Sequence, residues 1–361
     1  MKIAIIAPPW IAVPPEKYGG IETVVWNLVE GLTELKHDVI LFARPESNVS
    51  CKLFPYFKSH TYFGMDSSEE FKLIVRELSL KYAFAHARYE KVDIIHDHTL
   101  FNYNSDVPIL RTIYSAATEG AVSQASKLCK NPNNHLIAAS NKQKDLYQTM
   151  DPNIEFMDVV PHAINVDGIE WGKDKDNFFL CVGRASWQKG LDTVLRVASR
   201  ARVNLVMAIK MVDNEEKDFF SKEIQPLIDQ YPRDLQLQLY GEILRPNILD
   251  LYKRAKCTLF TAQWEQPFGI VMIESMACGT PVIAYRRGAA SEIIIDGKTG
   301  FVVNTEDEMV EAIKKIDQID PQDCRDHVLK NYSRLGMAKK YISNYEKVLS
   351  MRSPVKRRRG K

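Results

Sequence analysis

Short, mostly β-branched apolar runs recur along the chain, and longer segments of helical spacing separate most of them. The runs are Ile3–Ala7, Asp38–Phe42, Ile94–His96, His135–Ala139, Phe178–Val182, Val203–Ile209, Leu235–Tyr240, Cys257–Thr261, Pro281–Ala284 and Gly300–Val303. They read as near-continuous apolar strands covered on both faces, which is how strands of a parallel sheet read. Between the first two, Ile21, Val24, Val25, Leu28, Val29 and Leu32 repeat at the spacing of one helix face. Such alternation predicts α/β layers built on parallel sheets.

At 361 residues the chain is too long for one ordinary core. A polar stretch rich in Gly, Lys and Asp, Asn165 to Asn177, separates two comparable sets of runs. We expect two α/β domains, 1–164 and 165–330. A helical segment with no strand after it, within 331–350, could cross back onto the first domain. The tail 351–361 ends Lys356-Arg357-Arg358-Arg359-Gly360-Lys361 and reads as a frayed terminus or as a contact for an anionic membrane.

The net charge of +2 gives no electrostatic footprint for nucleic acid. The cysteines at 51, 129, 181, 257, 278 and 324 form no Cys-x-x-Cys pair and mostly read as small buried hydrophobes, which suits a reducing compartment. The run Ile3–Ala7 is stopped by Pro8-Pro9, too soon for a signal peptide or membrane span. A cytoplasmic location is expected, with the basic tail able to draw the chain to the inner face of a membrane.

In open α/β sheets ligands bind beyond the carboxyl ends of the strands, so the strand-end loops carry the functional signal. After the first run, Gly19-Gly20 opens the Ile21 helix; paired glycines there let backbone N–H groups approach an anion, or simply form a surface turn. No Gly-x-Gly-x-x-G is present, which argues against a dinucleotide dehydrogenase. His96 and His98 share one face of an extended segment. They are packed histidines, a metal pair lacking an evident third ligand, or, for His98, a contact to a sugar or its acceptor. Gly183-Arg184 followed by Lys189-Gly190 puts an Arg fork and a Lys point charge at a strand end, a pair suited to a diphosphate. Trp264-Glu265-Gln266-Pro267-Phe268-Gly269 then turns into an apolar helix whose free first-turn N–H groups, at Phe268, Gly269 and Ile270, would meet that diphosphate. Glu274 lies one turn inside this helix, where a carboxylate is costly without partners; ribose hydroxyls would serve, and so would local backbone.

Taken in order, these residues resemble the retaining glycosyltransferases of family 4, whose GT-B fold sets two Rossmann-like domains with parallel sheets across a central cleft. The resemblance rests on Tyr18-Gly19-Gly20-Ile21-Glu22, on Asp93-Ile94-Ile95-His96-Asp97-His98, on Gly183-Arg184 with Lys189-Gly190, and on Phe268-Gly269 through Glu274-Ser275-Met276-Ala277-Cys278-Gly279-Thr280-Pro281-Val282-Ile283-Ala284. It implies transfer of a sugar from a nucleotide-sugar donor, UDP by family frequency, to a carbohydrate, lipid-linked or small-molecule acceptor. Neither metal nor cofactor is implied. The resemblance casts His98, Gln266, Arg184 and Lys189 as catalytic. Gly19, Gly20, Gly183, Arg184, Lys189, Phe268, Gly269 and Ile270 would bind the phosphates and sugar, Glu274 the ribose, and the Glu242-Ile243 loop would lie by the base.

Three departures stand out. Counting back from Glu274, the first acid of the family's paired-acid motif falls at position 266, which here is Gln266; its neighbour Glu265 is the acid that could substitute for it and bind the donor. Relatives commonly carry His where this chain has Tyr114. They carry Pro-Asn-Gly-x-Asp where it has Pro161-His162-Ala163-Ile164-Asn165. The loss of an acid near an oxocarbenium-like centre leaves two further readings: a catalytically impaired binding protein with a regulatory role, and a sugar-nucleotide epimerase that needs no acceptor.

Overall fold

The computed structural model describes residues 1–17, 19–57, 68–211 and 213–351. Tyr18 and the basic tail lie outside the described residues. The first sheet has strands β1 (Lys2–Ile6), β2 (Asp38–Ala43), β3 (Lys52–Pro55), β4 (Ile94–Asp97), β5 (Ile109–Thr112), β6 (Asn134–Ala138) and β7 (Phe156–Val159). Those of the second are β8 (Phe179–Arg184), β9 (Leu205–Lys210), β10 (Leu237–Tyr240), β11 (Cys257–Phe260), β12 (Val282–Tyr285) and β13 (Gly300–Val303). Their orders are β3-β2-β1-β4-β5-β6-β7 and β10-β9-β8-β11-β12-β13. Every registered pair is parallel. The chain is therefore the expected α/β architecture of two Rossmann-like domains. Strand order reverses between β1 and β4 and again between β8 and β11, and each reversal opens a crevice at the carboxyl edge of its sheet.

Three of these strands have no counterpart among the apolar runs. Strands β3 and β7 are the partly exposed edges of the first sheet, so their patterns carry little of the signal of a buried strand. Strand β5 is fully buried but includes Arg111, whose charge breaks the apolar run. Arg111 is tolerated because it ion-pairs with buried Asp97 and donates to Asn134 Oδ1 and the Phe101 carbonyl.

The first helix (Gly20–Glu34) buries Val24, Val25, Leu28, Val29 and Leu32 on the first sheet. The chain crosses between domains at Ile164 and returns at Ser333, and the two crossings are joined by a parallel bridge. Beyond the second crossing, the terminal helix (Arg334–Met351) adds Met337, Ala338, Tyr341, Tyr345 and Val348 to the first domain's core. At about 1.5–3 kcal/mol for each large apolar side chain fully buried, that face holds the helix firmly in place. Its tyrosines also reach under the cleft: Tyr345 bonds His96 Nδ1 at 2.7 Å and Tyr341 bonds Thr112 Oγ1 at 2.8 Å.

Candidate active site

Strand β8 delivers Gly183 and Arg184 to its carboxyl end, and a single turn of 3-10 helix, Trp187–Lys189, follows. Gly190 closes that turn at φ 63°, and a Cβ there would come within 2.3 Å of the Thr261 carbonyl, so only glycine fits. The Thr261 hydroxyl donates to the Lys189 and Gly190 carbonyls, each at 2.9 Å, tying the turn to the end of β11. The Lys189 ammonium is thereby aimed at Gln266, donating to Oε1 at 3.0 Å. Trp264 Nε1 donates to the same oxygen at 2.9 Å. Two pure donors on one atom fix the amide's orientation. Burial, and then the charge of Arg184, bring the Lys189 pKa down to about 8. Arg184 is paired with Glu216 at 2.5 Å.

The helix Ile270–Ala277 starts at Gly269, which sits at φ 120° and whose missing Cβ would strike Met272 Cε at 2.7 Å. In its first turn the Met272 N–H bonds the Gly269 carbonyl at 3.0 Å, whereas the Ile270 and Val271 N–H groups precede the first acceptors of the helix, and the turn carries the positive end of its dipole. Glu274, 6 % exposed, pairs with Arg245 at 2.6 Å. Arg245 is the partner that the sequence reading supplied only as ribose or backbone. It lies on another helix, Arg245–Arg254, and no local spacing links the two. The Arg245 N–H reaches across to the Glu16 carbonyl of the first domain at 3.3 Å, and Lys17 approaches Glu242 at 3.9 Å.

On the first-domain wall, a Cβ at Gly19 would meet Pro15 Cβ at 2.6 Å, whereas one at Gly20 would meet nothing. Glu22 is 5 % exposed, and burial lifts its pKa to about 7 against the opposing pull of Lys210. Tyr114 and His162 complete this wall.

All these walls enclose one cavity of about 530 Å³. It gathers Gly183, Arg184, Lys189 and Gln266 from one side of the second domain. Phe268, Gly269, Ile270 and Glu274 come from the Ile270–Ala277 helix and its turn, Glu242 and Ile243 from the loop after β10, and Gly19 and Gly20 from the first domain. Two residues expected at the site are not on its wall. His98 is 2 % exposed and hydrogen-bonds Tyr114 at 2.7 Å, so the tyrosine stands between it and the cavity. Glu265 turns away and accepts from the Gly288 N–H at 2.7 Å, so it does not substitute for an acid at 266. His96 is fully buried against Tyr345 and Thr112, and among the described residues no group of three or more His, Cys, Asp or Glu is placed to hold a metal ion.

Lys210, Arg245 and Trp264 line the cavity without having been singled out by the sequence. Lys210 could have been found, because it ends β9 in register with Arg184 at the end of β8.

Facing Rossmann-like domains with a charged cavity between them define the GT-B class of sugar-transferring enzymes. Two family models meet end to end on this chain: Glycosyltransferase Family 4 over residues 18–167 and Glycosyl transferases group 1 over residues 169–334. The chain belongs to this glycosyltransferase family. It is 25 % identical to an uncharacterized 41.2 kDa protein in the cps region of Klebsiella pneumoniae, over 91 % of this chain and 96 % of that one. The sucrose-phosphate synthase of Thermosynechococcus elongatus superposes with a TM-score of 0.77 at 19 % identity, covering 97 % and 99 % of the two chains. HepE of Anabaena, solved in complex with UDP-glucose, superposes at 0.70 with 14 % identity over 96 % and 100 %.

Proposed function

We propose that the chain is a metal-independent, retaining hexosyltransferase that uses a nucleoside-diphosphate sugar, with UDP as the expected nucleotide, and a glycan, lipid-linked or small-molecule hydroxyl as acceptor. The observation that carries this is the convergence of Arg184, Lys189 and the first turn of the Ile270–Ala277 helix on one cavity. Breaking the bond from the anomeric carbon to the phosphate oxygen sends an electron pair onto the diphosphate. A guanidinium, an ammonium and aimed backbone dipoles suit that charge without an ion. The acceptor oxygen then bonds the anomeric carbon, and its proton leaves with the diphosphate. Cleft closure would keep water from competing.

Relatives support the choice of substrate class: a named O-antigen chain mannosyltransferase of Salmonella typhimurium matches over 54 % of this chain at 26 % identity, and HepE was solved with UDP-glucose. In this reading Glu274 meets the ribose while Arg245 holds it in place, and Glu242 with Ile243 faces the base. His98 acts as a positioning residue through Tyr114. The basic tail would favour a lipid-linked acceptor at an anionic membrane face. Among the described residues no helix is long and apolar enough to cross a membrane.

The test is nucleotide release from a panel of UDP-, GDP- and ADP-sugars, with and without glycan acceptors. Arg184→Ala and Lys189→Ala should each lose most turnover while unfolding at the wild-type temperature. Normal turnover in both would reject the assignment. Tight binding of a sugar nucleotide with no turnover on any acceptor would mark a binding protein instead, and acceptor-independent conversion of the sugar an epimerase.

A further inference from the structure

We propose that His162 recognises a hydroxyl group of the donor sugar, an inference that rests on the donor reading above. His162 follows β7 in the segment that joins the two domains, and its ring lines the cavity. The imidazole lies between two aromatic rings. Tyr114 is stacked on it at 5.0 Å with an interplanar angle of 26°, and Phe268 meets it at 4.9 Å. These rings hold it at 4 % exposure and set its plane.

Its Nδ1 is buried and finds no hydrogen-bond partner among the described residues. A buried polar nitrogen without a partner is costly, by about 1–3 kcal/mol, and marks a place where a ligand atom belongs. Burial holds the imidazole neutral, with its pKa pushed down to about 3. A neutral ring offers one N–H and one lone pair. Nδ1 is a donor or an acceptor according to tautomer, and a hydroxyl, which both donates and accepts, can meet it either way, whereas an ionised phosphate or carboxylate can meet only an N–H.

Position identifies which hydroxyl. Phe268 immediately precedes Gly269, the residue that opens the helix whose first turn faces the diphosphate. A sugar carried on that phosphate is the next group along the cavity, and His162 is one ring away. Tyr114 does not compete for it, because its hydroxyl is already bonded to His98 Nδ1 at 2.7 Å.

The experiment compares bare and sugar-bearing nucleotides by calorimetry. The probes are UDP and GDP against UDP-glucose, UDP-galactose, UDP-N-acetylglucosamine and GDP-mannose, and the pair with the largest gain on adding the sugar to wild type is carried forward. In His162→Phe, which keeps the stack and removes the nitrogens, the bare nucleotide should bind within twofold of wild type. The sugar nucleotide should bind roughly five- to tenfold more weakly, the size of one hydrogen bond to a neutral partner. His162→Asn, which restores a donor and an acceptor, should recover part of that loss. An undiminished sugar gain in His162→Phe would overturn the proposal. So would an equal loss for bare and sugar-bearing nucleotides, which would show a purely structural ring. If wild type bound neither UDP nor GDP, the donor reading would fall and this inference with it.

Discussion

The ammonium of Lys189 donates to the side-chain oxygen of Gln266 at 3.0 Å, across 77 residues of sequence. The amide does here what a carboxylate could also do, but without the charge. It orients the lysine without adding a charge of its own.

This predicts a definite pH response. Lys189 has a pKa of about 8, so it is charged below that pH and neutral above it. Affinity for UDP should be flat on the acid side and fall as pH rises through 8, and Lys189→Ala should remove that limb. Gln266→Glu would place an anion beside the ammonium, move the limb to higher pH, and leave turnover at neutral pH equal or raised. A large loss of turnover in Gln266→Glu would show that the amide itself is required.

Glu22 should make the fold weaker as pH rises. Its pKa is about 7 in the folded chain against an ordinary 4.5, chiefly because burial disfavours the charged form. Below 4.5 both states hold the proton and nothing is lost. Between 4.5 and 7 the unfolded chain ionises first, so stability declines, and above 7 the penalty is complete. Glu22→Gln cannot ionise. Its melting temperature should match wild type near pH 4.5 and exceed it at pH 8, as followed by calorimetry. A gap that stays constant with pH would mean that Glu22 is already charged in the folded protein.

The architecture was legible in sequence because a strand covered on both faces leaves a continuous apolar run, as Ile3–Ala7 and Cys257–Thr261 do. Edge strands β3 and β7 and the Arg111-bearing β5 left no such run. Candidate-site residues at strand ends were legible for the same topological reason: Arg184 ends β8 and Lys189 follows it wherever that sheet folds. What stayed hidden were relations between distant elements. Nothing in the spacing of Glu274 points to Arg245 on a different helix. Nothing near His98 says that Tyr114 will stand in front of it. The turning of Glu265 toward Gly288 depends on a loop beyond β12, which local sequence around Glu265 does not encode.

The domains are joined by a cap that one lends the other. Glu292 of the second domain accepts from Asn141 N and Nδ2, each at 2.9 Å, and from Lys142 N at 2.7 Å, at the start of the first-domain helix Asn141–Met150. The adjacent Ser140 hydroxyl donates to the Pro267 carbonyl at 2.7 Å, within the turn that precedes the Ile270–Ala277 helix. Glu292→Ala should lower stability by about 1 kcal/mol, the size of a helix cap, seen as a lower urea midpoint. It should also raise the donor KM more than it lowers kcat, because the turn that carries Gln266 and Phe268 loses its anchor. An unchanged midpoint and KM would show the contact to be dispensable.

The central claim is that a diphosphate is held in the second domain by Arg184, Lys189 and the N-terminus of the Ile270–Ala277 helix. A crystal structure of the protein grown with UDP or GDP tests it most directly. The predicted result places both phosphates within hydrogen-bond reach of the two cations, with the Gly269 and Ile270 N–H groups aimed at them. A nucleotide bound elsewhere, or an Arg184 still paired with Glu216 and turned away from the phosphates at saturating nucleotide, would contradict it.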